Sequence, residues 1–341
     1  MKQKIVDLHQ DISLGLFAFG NNFGRKNEKE VSHIANQPFQ LINQTDLPRL
    51  KMGNIRIVVG ASCPLIVKDG KIQTPSNFIR EFKKHNRVYK NLENIKSILI
   101  IKSLSDLNRC IKEHKTGIIL SIEGLYGNGI TIKAIKKILA CGITMAAPFW
   151  SINNQLGCGC MTKHDGGLTP KGKKIINFLE KNNIIIDLAH SSKKTFLDVL
   201  KITTKPILVS HTASWNIHKH PRNINQKQAE LLASKRGLIG ISLVNEFIGS
   251  NSISAFIEHI KFFKKIGLIN NIGIGSDFCG MFSTHTIKAL EDSESLTKLP
   301  VILKDNGFNE IEIEKILWKN SINFFRSNLM TNNFDGRHLN L

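Results

Sequence analysis

The stretch KIVDLHQD, residues 4–11, begins with a short apolar run and ends on His9 and Asp11. A β-branched run of this length bounded by polar residues is a strand signal. In an extended chain alternate side chains share a face, so His9 and Asp11 would point the same way and could grip one ion together. A lone H-x-D also fits a strand with two polar residues at its exposed end, because short motifs match by accident. The pair therefore needs partners elsewhere in the chain.

Seven further runs of the same character follow: NIRIVVGAS (54–62), TGIILSIEG (116–124), GITMAAPFW (142–150), NIIIDLAH (183–190), KPILVSH (205–211), GLIGISLV (237–244) and NIGIGSD (271–277). Their apolarity is continuous rather than alternating, which implies strands buried on both faces, as in a parallel sheet. Helical periodicity separates them at 128–140, 170–182, 192–203, 225–236 and 252–267, with Ser, Thr or Asn near several cap positions. In LTPKGKK, Thr169 is placed to cap and Pro170 to open the helix, where its missing donor costs nothing. Eight such units in 341 residues predict an α/β fold, a (β/α)8 TIM-like barrel over 1–327 with a polar tail at 328–341. A doubly wound open sheet would require a glycine-rich phosphate loop after the first strand, and the sequence has none there. The segment 12–53 reads as one long first connection at the mouth of the barrel.

Composition narrows the function. The formal net charge of +20 suggests a nucleic acid or an anionic surface as partner, but the Lys residues are spread along presumed helices, as in IKFFKKIG (260–267). No basic stripe carries interleaved aromatics for stacking bases, so no nucleic-acid partner is expected. The six cysteines lack the spacing of a disulfide framework, which favours a reducing compartment. GCGC at 157–160 has no second cysteine pair beside it and reads as a small-residue loop rather than a zinc knuckle. No apolar run reaches the length that spans a bilayer. The start leaves no room for a signal peptide before His9, and the expected location is cytoplasmic, without a membrane partner.

The barrel makes a demand of its own. Active sites of such barrels lie where strands end, so chemistry-bearing residues should terminate several different runs. They do: His9 and Asp11, Glu123, His190, His211 and Asp277 each close one of the runs. Any single one reads equally well as a satisfied polar residue or a helix cap. Six converging on one rim can supply nitrogen and carboxylate ligands to two metal ions, with Zn²⁺ the default for such a mixed set.

DLHQD, SIEG, GLTPKGKKIINFLEKNNIIIDLAHSS, SHTAS, HPRNI and GIGSDF occur in the order and approximate spacing of the membrane (renal) dipeptidase family of zinc metallopeptidases, which the chain resembles from residue 5 to about 327. The resemblance implies two Zn²⁺ per chain. It makes His9 and Asp11 ligands of one ion, His190 and His211 ligands of the other, and Glu123 the carboxylate that bridges both. Asp277 resembles the family's acid/base residue, and Arg222 in HPRN the arginine that holds the free carboxylate of the substrate. The implied reaction is hydrolysis of dipeptides, including L,D-dipeptides, by a hydroxide held between the metals. Another amide or lactam hydrolase on the same binuclear barrel is the alternative, and a non-catalytic binding protein that keeps the barrel is the last reading, which would predict lost ligands where this sequence has all five. Members of the family are often dimers, so a homodimer is implied as well.

Two departures stand out. Where vertebrate members carry a substrate-contacting His after the fourth strand, this sequence has Trp150, leaving Asn153 and Asn154 as candidate substitutes. Where the family commonly reads S-D-F-D-G, this chain has SDFCG, so Cys279 replaces a carboxylate. It is either a small buried residue or a soft group beside the metals.

Overall fold

All eight expected runs form strands in the computed structural model, which describes residues 3–331 apart from 21, 28–30, 34–39, 65, 69–70, 74–76, 128 and 282–285. They are β1 (Ile5–Gln10), β2 (Ile55–Ser62), β3 (Thr116–Glu123), β4 (Met145–Ala147), β5 (Ile185–Ile186), β6 (Leu208–Thr212), β7 (Leu238–Ile241) and β8 (Ile272–Ile274). Neighbours in sequence are neighbours in the sheet, every pairing is parallel, and β8 returns to β1. The remaining gap, between β5 and β6, is crossed by a parallel bridge from Asp187 to Leu208 and by the Leu188 N–H donating to the Leu208 carbonyl at 2.8 Å. The fold is thus an α/β barrel of the TIM type.

Burial follows the period of two that an extended chain imposes. Val6, Ile57, Val59, Ile119, Leu208 and Leu238 pack in one cluster, which Phe324 and Phe325 join from the last helix, Asn320–Asn328. Their sequence neighbours Ile5, Val58, Ile118, Val209 and Ile239 pack in a second cluster with helix side chains such as Phe196, Leu232, Phe256 and Ile260. Each side chain removed from water in this way contributes about 1.5–3 kcal/mol, and both faces of each strand are engaged. The inner layer is tight at one level, because a Cβ on either Gly240 or Gly275 would lie 1.8 Å from the Ser210 carbonyl oxygen.

The expected helices appear as Ile132–Leu139, Pro170–Lys181, Lys193–Ile202, Gln226–Ser234 and Ile253–Lys265. Thr131, Thr169, Ser192, Asn225 and Ser252 cap them, each side chain accepting a first-turn backbone N–H that would otherwise lack a partner. Segment 12–53 is more structured than one long connection, holding helices Ile12–Phe19 and Leu47–Met52 and the antiparallel pair Val31–His33 and Gln40–Ile42. A ninth parallel strand, Ile98–Ile101, pairs with the first half of β3, while β4 pairs with its second half. The expected polar tail lies, from residue 332 onward, outside the described residues.

Candidate metal centre

Each residue of the centre leaves the barrel wall at the same end. His9 is the penultimate residue of β1, where simple alternation fails: the register against β2 slips between Asp7 and Gln10. His9 and Asp11 still converge, with Nε2 and Oδ2 3.4 Å apart. Asp11 occupies the cap position of helix Ile12–Phe19, yet its side chain accepts no capping hydrogen bond and turns to the centre instead. Glu123 is the last residue of β3, and His211 lies within β6. His190, just past β5, and Asp277, just past β8, both take left-handed backbone conformations, with φ of +68° and +67°. Such strain in non-glycine residues gathers where surrounding structure overdetermines it, often at functional sites.

Two buried carboxylates shape these strand ends. Asp7, within β1, accepts the backbone N–H of Ser276 at 2.9 Å and its hydroxyl at 2.6 Å, tying β1 to the chain leaving β8. Asp187 does the same between β5 and β6, accepting the Ser210 N–H at 2.9 Å and the Ala189 N–H at 3.0 Å. Side-chain oxygens thus replace ladder bonds where the strands begin to splay.

The donors face one another with little else to satisfy them. Glu123 Oε1 is 2.7 Å from His190 Nε2 and 3.6 Å from His211 Nε2, while Oε2 is 3.6 Å from His9 Nε2. The Nε2 atoms of His190 and His211 are 2.9 Å apart, and Asp277 Oδ1 is 3.8 Å from His9 Nε2. Three sets, Glu123–His190–His211, His9–Asp11–Glu123 and His9–His211–Asp277, each bring their donor atoms within 4.8 Å of one another. Among the described residues neither ring nitrogen of His9 nor Asp11 Oδ1 has a hydrogen-bond partner, although all are buried. Buried polar atoms are rarely left so, and a cluster of unpaired lone pairs is what divalent cations satisfy. The donor set fits metal.

The buried donors also perturb one another's protonation. Against the desolvation that opposes it, Glu123 holds the His9 imidazole well above its ordinary range, and His9 and His190 hold Glu123 well below its own. Burial, then Arg222, lowers His190 to about 4; burial and His9 push His211 well down. Burial raises Asp277 to about 8, with Asp11 and Glu123 adding to the rise and His9 opposing it.

Arg222 is buried in the loop after β6. One Nη donates to the His211 carbonyl at 3.0 Å, and the guanidinium lies 4.9 Å above the Phe247 ring. With His190, Cys160 and Trp215 it lines a cavity of about 310 Å³ among the loops that follow β4, β5 and β6. Trp150 stacks on His190 at 5.6 Å between ring centroids. Neither asparagine offered as a substitute there is free. Asn154 donates to the Leu125 and Pro148 carbonyls and accepts from Leu156 and Gly157, and Asn153 bridges Thr162 and Gly159. Cys279 is a small buried residue packed against Gly15, its thiol raised to about 12 by burial. GCGC forms a close-packed loop in which a Cβ on Gly159 would lie 2.2 Å from the Trp150 carbonyl oxygen.

Sequence reasoning missed the residues that hold these groups: Asp7, Asp187, Ser151, Ser210 and Phe247. A carboxylate inside an apolar run, as in IVDLH and IIDLAH, was the available signal for the first two, since it must find partners if the run is buried.

The chain matches the model of a protein family, membrane dipeptidase (peptidase family M19), over residues 1–335. It is 25% identical over 322 residues to the dipeptidase aclJ of Aspergillus oryzae, covering 89% of this chain and 73% of that protein. Among solved structures it is similar to the dipeptidase AC, a metallopeptidase of family M19, with a TM-score of 0.83, 18% identity and coverage of 97% of this chain and 100% of that one. A metallopeptidase from Rhodobacter sphaeroides, solved with a phosphinate mimic of the dipeptide L-Ala-D-Ala, gives a TM-score of 0.83 at 18% identity over 96% and 100% of the two chains. Since the family match spans the barrel and all the strand ends that build the centre, the chain belongs to the membrane dipeptidase family, peptidase family M19, whose members are metallo-dipeptidases that hydrolyse peptide bonds.

Proposed function

We propose that this barrel is a zinc-dependent dipeptidase acting on dipeptides with a free C-terminal carboxylate, L,D-dipeptides among them. The carrying observation is Glu123, whose two oxygens face different donor groups: Oε1 meets His190 and His211, and Oε2 meets His9. In this reading His9 and Asp11 hold one Zn²⁺, His190 and His211 hold a second, and Glu123 serves both. The bound ions would supply Lewis acidity toward the peptide carbonyl and a water acidic enough to attack near neutral pH.

The chain's own groups do the rest. Asp277, whose Oδ1 lies 3.8 Å from His9 Nε2 at the edge of the centre, can as a carboxylate accept the proton of the attacking water and return it to the amine as the C–N bond breaks. Arg222 is fixed by the His211 carbonyl and the Phe247 ring, and its planar fork would take the substrate's carboxylate. That single clamp explains why long peptides should be poor substrates. Trp150, flat against His190, forms an apolar wall where an imidazole donor would otherwise stand. The dipeptide mimic bound by the Rhodobacter sphaeroides neighbour supports the inclusion of a D-residue at the second position.

The test is hydrolysis of L,L- and L,D-dipeptides, with C-terminal amides as controls, by protein stripped of metal and titrated with Zn²⁺. Activity rising to a plateau near two equivalents and confined to free carboxylates is expected. Two bound ions with no dipeptide turned over would move the function to the amide or lactam hydrolase alternative.

A further inference from the structure

The three histidines of the centre are held differently. His190 Nδ1 lies 2.9 Å from Ser151 Oγ, and His211 Nδ1 lies 2.8 Å from Ser210 Oγ. An imidazole that donates its Nδ1–H to an oxygen is fixed in one tautomer, with the Nε2 lone pair presented to a cation. Both Nε2 atoms here point at each other and at Glu123. Ser210 is itself anchored, because its backbone N–H is bound by the buried Asp187 carboxylate. Ser151 is set by the loop that closes on it, its carbonyl accepting the Met161 N–H at 2.9 Å.

His9 has no such support. Among the described residues neither of its nitrogens is hydrogen-bonded, and its ring is confined by packing on His211, with centroids 3.9 Å apart. The donor chemistry differs too. His190, His211 and Glu123 offer two nitrogens and one carboxylate, whereas His9, Asp11 and Glu123 offer one nitrogen and two carboxylates. Imidazole nitrogens suit zinc, and oxygen-rich sets also suit harder cations.

We infer that Ser151 and Ser210 are positioning residues that make the two cation positions unequal. The His190–His211 position takes zinc first and retains it; the His9–Asp11 position fills second, exchanges, and accepts a harder divalent ion such as Mn²⁺. The inference rests on the ligand assignment proposed above.

The test is a titration of the metal-free chain with Zn²⁺ against a chromophoric chelator, followed by metal analysis after dialysis. Two steps at least tenfold apart are expected, with limited chelator removing one ion and Mn²⁺ refilling that position, detected by its paramagnetic resonance. Ser151→Ala and Ser210→Ala should each weaken the first step about 10–100-fold, the usual cost of losing such a partner. The second step and the melting curve of the metal-free chain should hold, and Ser151→Thr should restore the first step. If Ser210→Ala does not fold, Ser151→Ala decides alone. Two equal steps in the unaltered chain, or serine variants that weaken both steps alike, would overturn the inference. Binding of fewer than two ions would overturn the ligand assignment instead.

Discussion

Asp277 shares its corner with two other carboxylates, Asp11 and Glu123, whose charges add to burial in raising its pKa. A carboxyl placed beside the reacting atoms in such surroundings is suited to shuttle a proton. Asp277→Asn is expected to lower kcat by about 10²–10⁴ while the metal content, measured by atomic emission, stays at the level of the unaltered chain. Persistent turnover would remove Asp277 from the chemistry. Arg222→Met should raise KM for free dipeptides about 10–100-fold, the cost of a charge-assisted hydrogen bond, and should erase the discrimination against C-terminal amides. At this scale the sequence was informative where a polar residue closed an apolar run, which is why His9, Glu123, His190 and His211 stood out, whereas Asp7 and Asp187, which interrupt one, passed unread. Ser151 and Ser210 did not, because a serine in a strand or loop is compatible with any environment, and only the placement of an imidazole beside it gives it work.

The strands were legible as elements because burial on both faces writes a continuous apolar run, and the helices because caps such as Thr169 and Asn225 mark their starts. Strand Ile98–Ile101 escaped for a physical reason: its four isoleucine and leucine residues resemble a barrel strand, but its partner is only half of β3. No local pattern encodes a pairing choice of that kind. The slip in β1 is similar, since a register shift depends on the neighbouring strand. Gly240 shows what the inner layer requires. Gly240→Ala would drive a methyl into the Ser210 carbonyl on β6, backbone that cannot step aside, and a loss of about 1–3 kcal/mol is expected, read from denaturant unfolding.

His259, on helix Ile253–Lys265, adds a pH term to this packing. It accepts the Ser214 N–H on Nδ1 at 2.9 Å and so carries its proton on Nε2, 3.0 Å from the Ile248 carbonyl. Burial lowers its pKa. Because the folded value lies below the unfolded one, the unfolded chain binds the extra proton first: stability is intact above pH about 6.5 and declines as the pH falls below it. His259→Gln, which keeps one acceptor and one donor without titrating, should lose less stability than the unaltered chain between pH 7 and 5, measured by urea melts at each pH.

For the molecule as a whole, the centre is a set of donors that only the folded barrel assembles from β1, β3, β5, β6 and β8. A cation bound there stabilises the native state alone, by about 2.7 kcal/mol at one hundred times its Kd. Chelation should therefore lower the melting temperature by several degrees, and added Zn²⁺ should restore it. The net charge of +20 would be expected to raise the local concentration of anionic substrates at low salt, but it does not define a surface. Among the described residues no helix is long and apolar enough to cross a membrane.

The barrel wall is also uneven around its circumference. β2 and β3 are joined through six paired positions, whereas β5 and β6 meet through one bridge and the Asp187 carboxylate. Local opening costs least where few hydrogen bonds must break, so the wall should breathe there, beneath the cavity that Arg222 and Trp215 line. His190 and His211 stand on opposite sides of that joint. An ion gripped by both would act as a clasp on a moving edge, and amide exchange at Leu208 and Ser210 should slow on metal binding far more than exchange in β2. Product leaving between these loops would then depart through the part of the wall that the metal itself keeps shut.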